Sequence, residues 1–357
     1  MITIGHTTVL RVAITLLMLP VAAGATAQDV VSGAMHLLQQ ADSLLSRRYY
    51  GADIDTAYIV RPPTKWTLKL RGNVSGAAVD VTGQMGNRLF EAHEDADFKN
   101  TLNFAASYKG LSLGLAVNPG LLLGRYKDYE INVNSYGNRF GFDIIYQRAK
   151  TFTGWIRFSE EGVTERPKSI FLPEDFWGEK ADLPHDMLTM KTLNVNAYYA
   201  FNYRRFSYPA AFSQSYIQQR SAGSFMIGAS YQGQSVRTRA IAEIGNSNAR
   251  LSVGNFALGA GYGYNFVLPN RWLLHLSAMP TFICYSHNRF YLNDERQTMH
   301  NRFPEVIVTG RGAFVHSFDN YFVGLSMVYT FSNIGDEDRL AIRNSKWRAR
   351  AFVGLRF

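Results

Sequence analysis

From Lys65 onward, apolar and polar residues of this chain alternate in twos. In "KWTLKLRGNV", Trp66, Leu68, Leu70 and Val74 share one face, and Lys65, Thr67, Lys69, Arg71 and Asn73 share the other. In "TLNVNAYYAFNY", Leu193, Val195, Ala197, Tyr199, Phe201 and Tyr203 line up in the same way. A period of two is the signature of a β-strand with unlike faces. Read so, the pattern predicts twelve strands: 65–75, 99–108, 111–118, 128–136, 139–149, 189–203, 222–236, 253–267, 270–284, 304–316, 320–332 and 346–357. Most approach the roughly 9–11 residues that a tilted strand needs to cross a bilayer.

The connections carry a second pattern. Those after strands two, four, eight and ten are short turns, such as Lys109–Gly110. Those at 76–98, 119–127, 150–188, 237–252, 285–303 and 333–345 are long. Short turns at one end and long loops at the other are expected of a membrane meander. Segment 204–221 breaks the parity: it belongs to the short set yet is long.

The first 64 residues follow other rules. In 29–48, Val30, Val31, Ala34, Leu37, Leu38, Ala41, Leu44 and Leu45 form a helical stripe, with Asp29 and Arg47–Arg48 suiting its ends. Pro62–Pro63 imposes an extended linker. Residues 1–27 read as a signal peptide: Arg11, then the short apolar run "VAITLLMLPVAA", then "ATA" at a cleavage position. Export is therefore expected, with 28–64 a periplasmic helix and linker and 65–357 the barrel.

Composition separates a soluble barrel from a membrane one. Charged residues make up only 18% and aromatics 14%. A soluble barrel would turn its lysines, arginines and asparagines outward and crowd its aromatics inside. A membrane barrel does the reverse and places aromatics at the lipid interfaces. The expectation is an all-β, transmembrane, antiparallel up-and-down barrel of about twelve strands in the outer membrane. The net charge of +9 is spread singly along strands rather than in a basic run, which argues against nucleic acid. One cysteine, Cys284, excludes an internal disulfide and a cysteine-based metal site.

"YYGADIDTAYIVRPPTKWTLKLRGN", "ASYKGLSLGLAVNP" and "RRFSYPAAFSQSYIQQRSAGSFMIGASY" resemble an uncharacterised Bacteroidota outer-membrane β-barrel family, domain of unknown function 4421. The resemblance runs from about Tyr49 to Phe357. It implies a barrel, and no activity. The terminal strand "WRARAFVGLRF" resembles the signal that such barrels present to their assembly machinery.

No catalytic, cofactor or metal set emerges. His316–Ser317 and Ser286–His287 are adjacent pairs, so their side chains point to opposite faces and neither makes a dyad by itself. "GAGYGYN" lies inside a strand and suits small bore-facing residues better than a phosphate loop. Loop 150–188 mixes eight acids with Trp155, Phe171, Phe176 and Trp177. It reads as a solvated loop, or as a cap that could bind a cation or partner. The sharpest candidates are basic. If the apolar face meets lipid, Lys69, Arg71, Arg311, Arg348, Arg350 and Arg356 point into the bore, and closure brings the first and last strands together. Glu130 and Asp143 are inward acids that could pair with some of them. Three readings follow: a narrow channel or solute-binding barrel with a basic interior, an enzyme acting on lipid or lipopolysaccharide, or a structural, partner-binding barrel. The expected partners are outer-membrane lipid, lipopolysaccharide and the assembly machinery.

Overall fold

The computed structural model describes Ser43 and residues 53–85, 88–117, 129–150, 153–160, 181–183, 188–238, 249–292, 295–297, 305–336 and 340–357. The chain divides into two units, Met1–Tyr50 and Gly51–Phe357. The expected signal peptide, nearly all of helix 29–48 and most of the acidic 150–188 segment lie outside the described residues.

Twelve strands close into one antiparallel barrel. They are β1 (Trp66–Met85), β2 (Arg88–Tyr108), β3 (Leu111–Val117), β4 (Tyr129–Tyr136), β5 (Phe140–Ala149), β6 (Leu188–Ala200), β7 (Ala222–Thr238), β8 (Ala249–Leu268), β9 (Trp272–Ser286), β10 (Val306–Ser317), β11 (Tyr321–Asp336) and β12 (Leu340–Arg356). Each pairs with its neighbours in sequence, and β12 pairs with β1. The seam is sealed where Trp66 and Phe357 exchange backbone hydrogen bonds of 2.9 and 3.0 Å. Among the described residues, closure leaves the twelve strands without an open edge in the band, as a strand in lipid requires.

The two faces differ as the alternation predicts. On β11, Tyr321, Val323, Leu325, Met327, Tyr329 and Phe331 are exposed, and Leu325 reaches 58%. Ten residue steps of about 3.3 Å, tilted by about 40°, rise roughly 25 Å, the height of a lipid-facing band. Phe140, Phe201, Phe225 (70% exposed), Phe266 and Tyr321 ring the short-turn end, and Tyr231, Phe256, Phe282, Tyr285, Tyr329 and Phe331 ring the other. These are two aromatic girdles. Many inward positions are polar: Thr67, Asn73, Asn103, Ser112, Asn132, Asn134, Thr192 and Ser224 are all buried.

Several expected long loops are strand instead. Segment 76–98 is mostly the tip of a hairpin that pairs out to Met85 and Arg88. Segment 333–345 is likewise paired out to Asp336 and Leu340. Short hairpins at 153–160 with 181–183, and at 289–292 with 295–297, extend the wall further. Beyond the apolar band both faces meet water, so the greasy alternation that marks a strand fades while backbone pairing continues. At the opposite end the strand expected to reach residue 203 stops at Ala200 and gives way to a turn. The tight β2–β3 turn uses Lys109 (φ 47°) and Gly110 (φ 84°), the left-handed pair that a two-residue hairpin needs.

The long short-side connection folds inward. Ser207 begins a single helical turn, α1 (Tyr208–Phe212), where its hydroxyl accepts from the Ala210 backbone N–H at 3.2 Å. Phe206, Ser207, Ala211 and Gln214 are fully buried. Ala210 and Ala211 pack on Leu273, Ala313, Val315, Phe322 and Phe352, all from barrel strands. Residues 206–218 of this connection therefore fill the bore at the short-turn end. Ile59–Val60 pairs with Ile217–Gln218 beneath the plug, so the expected linker is built into its base.

Candidate functional site: a basic wall above an internal plug

All six expected basic residues lie on inward positions, in three groups. On adjacent β1 and β12, Lys69, Arg71, Arg348 and Arg350 form one wall. Arg356 stands at its foot, and Arg311 is separate on β10. Lys346, two residues before Arg348 on β12, extends the same wall and was not anticipated.

The lowest rung holds the plug. Lys69, 4% exposed, donates from Nζ to the Phe212 carbonyl at 3.1 Å and to the Gln214 side-chain oxygen. Arg356, 2% exposed, donates from Nε to the Gln214 carbonyl at 3.1 Å, with its guanidinium 4.7 Å over the Phe322 ring. A cation at the end of α1 satisfies carbonyls that have no helical partner.

Two ion pairs cross the bore. Arg348 Nη2 donates to Glu130 Oε2 at 2.5 Å, from β12 to β4. Arg311 lies 3.6 Å from Asp143, from β10 to β5. Asp143 also accepts from Asn196 at 2.7 Å and from the Tyr136 hydroxyl at 3.3 Å. Between the lower rung and the Arg348 pair stand Arg71 and Arg350. Arg71 is 7% exposed, and the Arg350 Nε is buried with no hydrogen-bond partner among the described residues.

On the opposite side of the plug, polar residues form a chain that sequence reading missed. Asn265 donates to the Ser207 carbonyl at 2.8 Å and to the Gln218 side-chain oxygen at 3.0 Å. Its own oxygen lies 2.7 Å from His275 Nδ1, which places the ring proton there, and His275 Nε2 lies 3.0 Å from Ser277 Oγ. The distances are those of a nucleophile, base and orienting amide. But His275 is fully buried, with the Tyr208 and Phe212 rings 5.3 and 5.0 Å from its own, and Asn265 is spent on the plug. In this state the chain is an anchor. The sequence did hold a signal: His275 and Ser277 are two apart and so share a face.

The adjacent pairs behave as parity requires. Ser286 donates to Asn255 at 2.7 Å, away from exposed His287, and His316 sits against Trp272. In "GAGYGYN" the glycines face inward. A Cβ on Gly263 would come within 3.1 Å of the Phe206 ring, so this glycine makes room for the plug. Among the described residues, no three His, Cys, Asp or Glu side chains gather to hold a metal.

An apolar band outside and a polar, charged bore inside define a transmembrane up-and-down β-barrel of the outer-membrane type. More specifically, the chain belongs to the family described as "Domain of unknown function (DUF4421)", which matches residues 53–357. No curated protein matches. Among solved structures the chain is similar to the translocator domain of the autotransporter NalP from Neisseria meningitidis, at 12% identity and TM-score 0.34, over 94% of this chain and 100% of that one. It is also similar to the transport unit of the autotransporter AIDA-I from Escherichia coli, at 9% identity and TM-score 0.32, over 88% and 97%. The P. putida toluene transporter TodX follows at 9% identity and TM-score 0.26, over 83% and 91%. At these values the likeness carries no argument about activity.

Proposed function

We propose that this chain is an exported outer-membrane barrel, short turns toward the periplasm, that takes anionic solutes into a basic bore closed beneath by its own 201–221 segment. The observation that carries this reading is the charge imbalance of the β1–β12 wall. Lys69, Arg71, Lys346, Arg348, Arg350 and Arg356 share it, and among the described residues Glu130 is the carboxylate paired with them. Such a field raises the local concentration of anions. The plug argues for a closed or gated bore rather than a standing pore. In planar bilayers the intact protein should conduct little. Replacing residues 204–219 with a short Gly/Ser turn, which keeps the β6–β7 hairpin, should open an anion-selective conductance. A large standing conductance in the intact protein, or cation preference after the replacement, would sink the reading.

The Ser277–His275–Asn265 chain favours a second reading, a hydrolase whose site is uncovered when the plug moves. Its substrate would have to enter the bore. Purified intact and plug-replaced proteins can be offered phospholipid, lipopolysaccharide and small soluble esters. Turnover that Ser277→Ala abolishes would support this reading, and turnover absent from both proteins rejects it.

A further inference from the structure

We propose that Arg71 and Arg350, with Arg348 beside them, form a binding site for a tetrahedral oxyanion: phosphate, free or at the end of a small ester. This deepens the reading of an anion-taking bore and rests on it. Three other cations of the wall have their charges engaged. Lys69 and Arg356 hold the plug below, and Arg348 holds Glu130 above. Arg71 is more than nine-tenths buried, and the groups acting on its charge are Tyr136 and Glu130, which favour it, and Arg348, which opposes it. Arg350 keeps a buried Nε with no hydrogen-bond partner among the described residues, and the charges acting on it are Arg348 and Arg71, of like sign, and Glu130, of opposite sign. Buried guanidiniums beside like charges are unfavourable until a counter-charge arrives.

The geometry selects the counter-charge. Arg350 stands opposite Asn73 and Arg71 opposite Phe352, so the two arginines are diagonal neighbours on paired strands, about 7–8 Å apart at Cα. Each guanidinium is a planar fork that grips two oxygens. A carboxylate has oxygens for one fork. A tetrahedral dianion has enough for both.

The test uses the folded, detergent-purified barrel in chloride buffer. Inorganic phosphate, glycerol 3-phosphate and acetate are titrated at matched ionic strength, followed by calorimetry and melting temperature. Both phosphates should bind and raise Tm, and acetate should do neither. Binding of inorganic phosphate without the ester restricts the ligand to the free anion; binding of both admits a small ester; each supports the site. Arg71→Gln and Arg350→Gln should each weaken phosphate binding at least tenfold. In phosphate-free buffer these variants should melt no lower than the parent, because a buried charge beside like charges is gone. Lys191→Gln, on the outer face of β6, should bind as the parent does. Should either glutamine variant fail to fold, Arg350→Lys keeps the charge without the fork and should lose discrimination between phosphate and acetate. Undiminished phosphate binding in both glutamine variants overturns the site. So does a lower Tm of Arg350→Gln without phosphate, which would make Arg350 a structural partner. If the site fails but the plug-replaced barrel still prefers anions, the bore reading stands; if no anion binds and no preference appears, both fall.

Discussion

Single residues decide how firmly the plug is held. Asn265 joins the Ser207 carbonyl, the Gln218 amide and the His275 ring. Asn265→Ala leaves those buried groups without their partner, each orphan costing about 1–3 kcal/mol. Protease should then cut within 201–221 faster than in the parent, while the barrel strands stay protected. Gly263→Val acts on the same element by crowding. Its new side chain meets the Phe206 ring, and overpacking of this kind costs about 1–3 kcal/mol. Fragmentation within 201–221 at the parent's rate would show that Phe206 yields cheaply. At this scale the sequence was half legible. Parity turned Lys69, Arg71, Arg348, Arg350 and Arg356 inward, because strand geometry is local. It could not say that Lys69 would meet Gln214, 145 residues away, or that Asn265 would meet Ser207, 58 residues away.

The barrel strands were legible as elements, their ends less so. Apolar alternation marks the part in the band, and it predicts loops at 76–98 and 333–345 where the strands extend beyond it. Those extensions make their own ladder above the lipid level. The β1–β2 tip carries a hydrogen bond between His93 Nδ1 and Asp80, 2.5 Å apart, and an ion pair between Glu91 and Arg157 of the adjoining strand. Exposed pairs of this kind contribute about 0–1 kcal/mol each. Shortening the hairpin by removing residues 79–92 should therefore leave a folded barrel, visible as unchanged heat-modifiable migration on a denaturing gel. Loss of that migration would show that the extension is needed for closure. The plug is the element that strand reasoning could only flag. Segment 204–221 broke the parity of loop lengths, and its Pro209, serines and glutamines gave no periodic face from which an inward course could be read.

The whole molecule is fixed by where grease and charge lie relative to lipid. Leu325 sits midway along the exposed row of β11. Leu325→Arg places a charge near the midplane, at a cost of about 2–4 kcal/mol. The folded fraction recovered in bilayers should fall accordingly. A change within a few tenths of a kcal/mol would place this row in water. Arginine on the inner face belongs to the opposite regime. There the wall already holds a row of cations, of which Lys69 and Arg356 meet the plug and Arg348 a carboxylate.

The sequence by itself determined which residues face lipid, roughly where the strands run, and that the first and last strands must meet. Those properties follow from a two-residue period and from the rule that a sheet in lipid cannot keep an open edge. Only the tertiary structure decided what the bore contains. Closure brings β4 against β12, β5 against β10, and a connection of twenty-odd residues into the space between them. Whether an inward arginine holds a carboxylate, the plug or nothing in the chain depends on that space, and no local pattern encodes it.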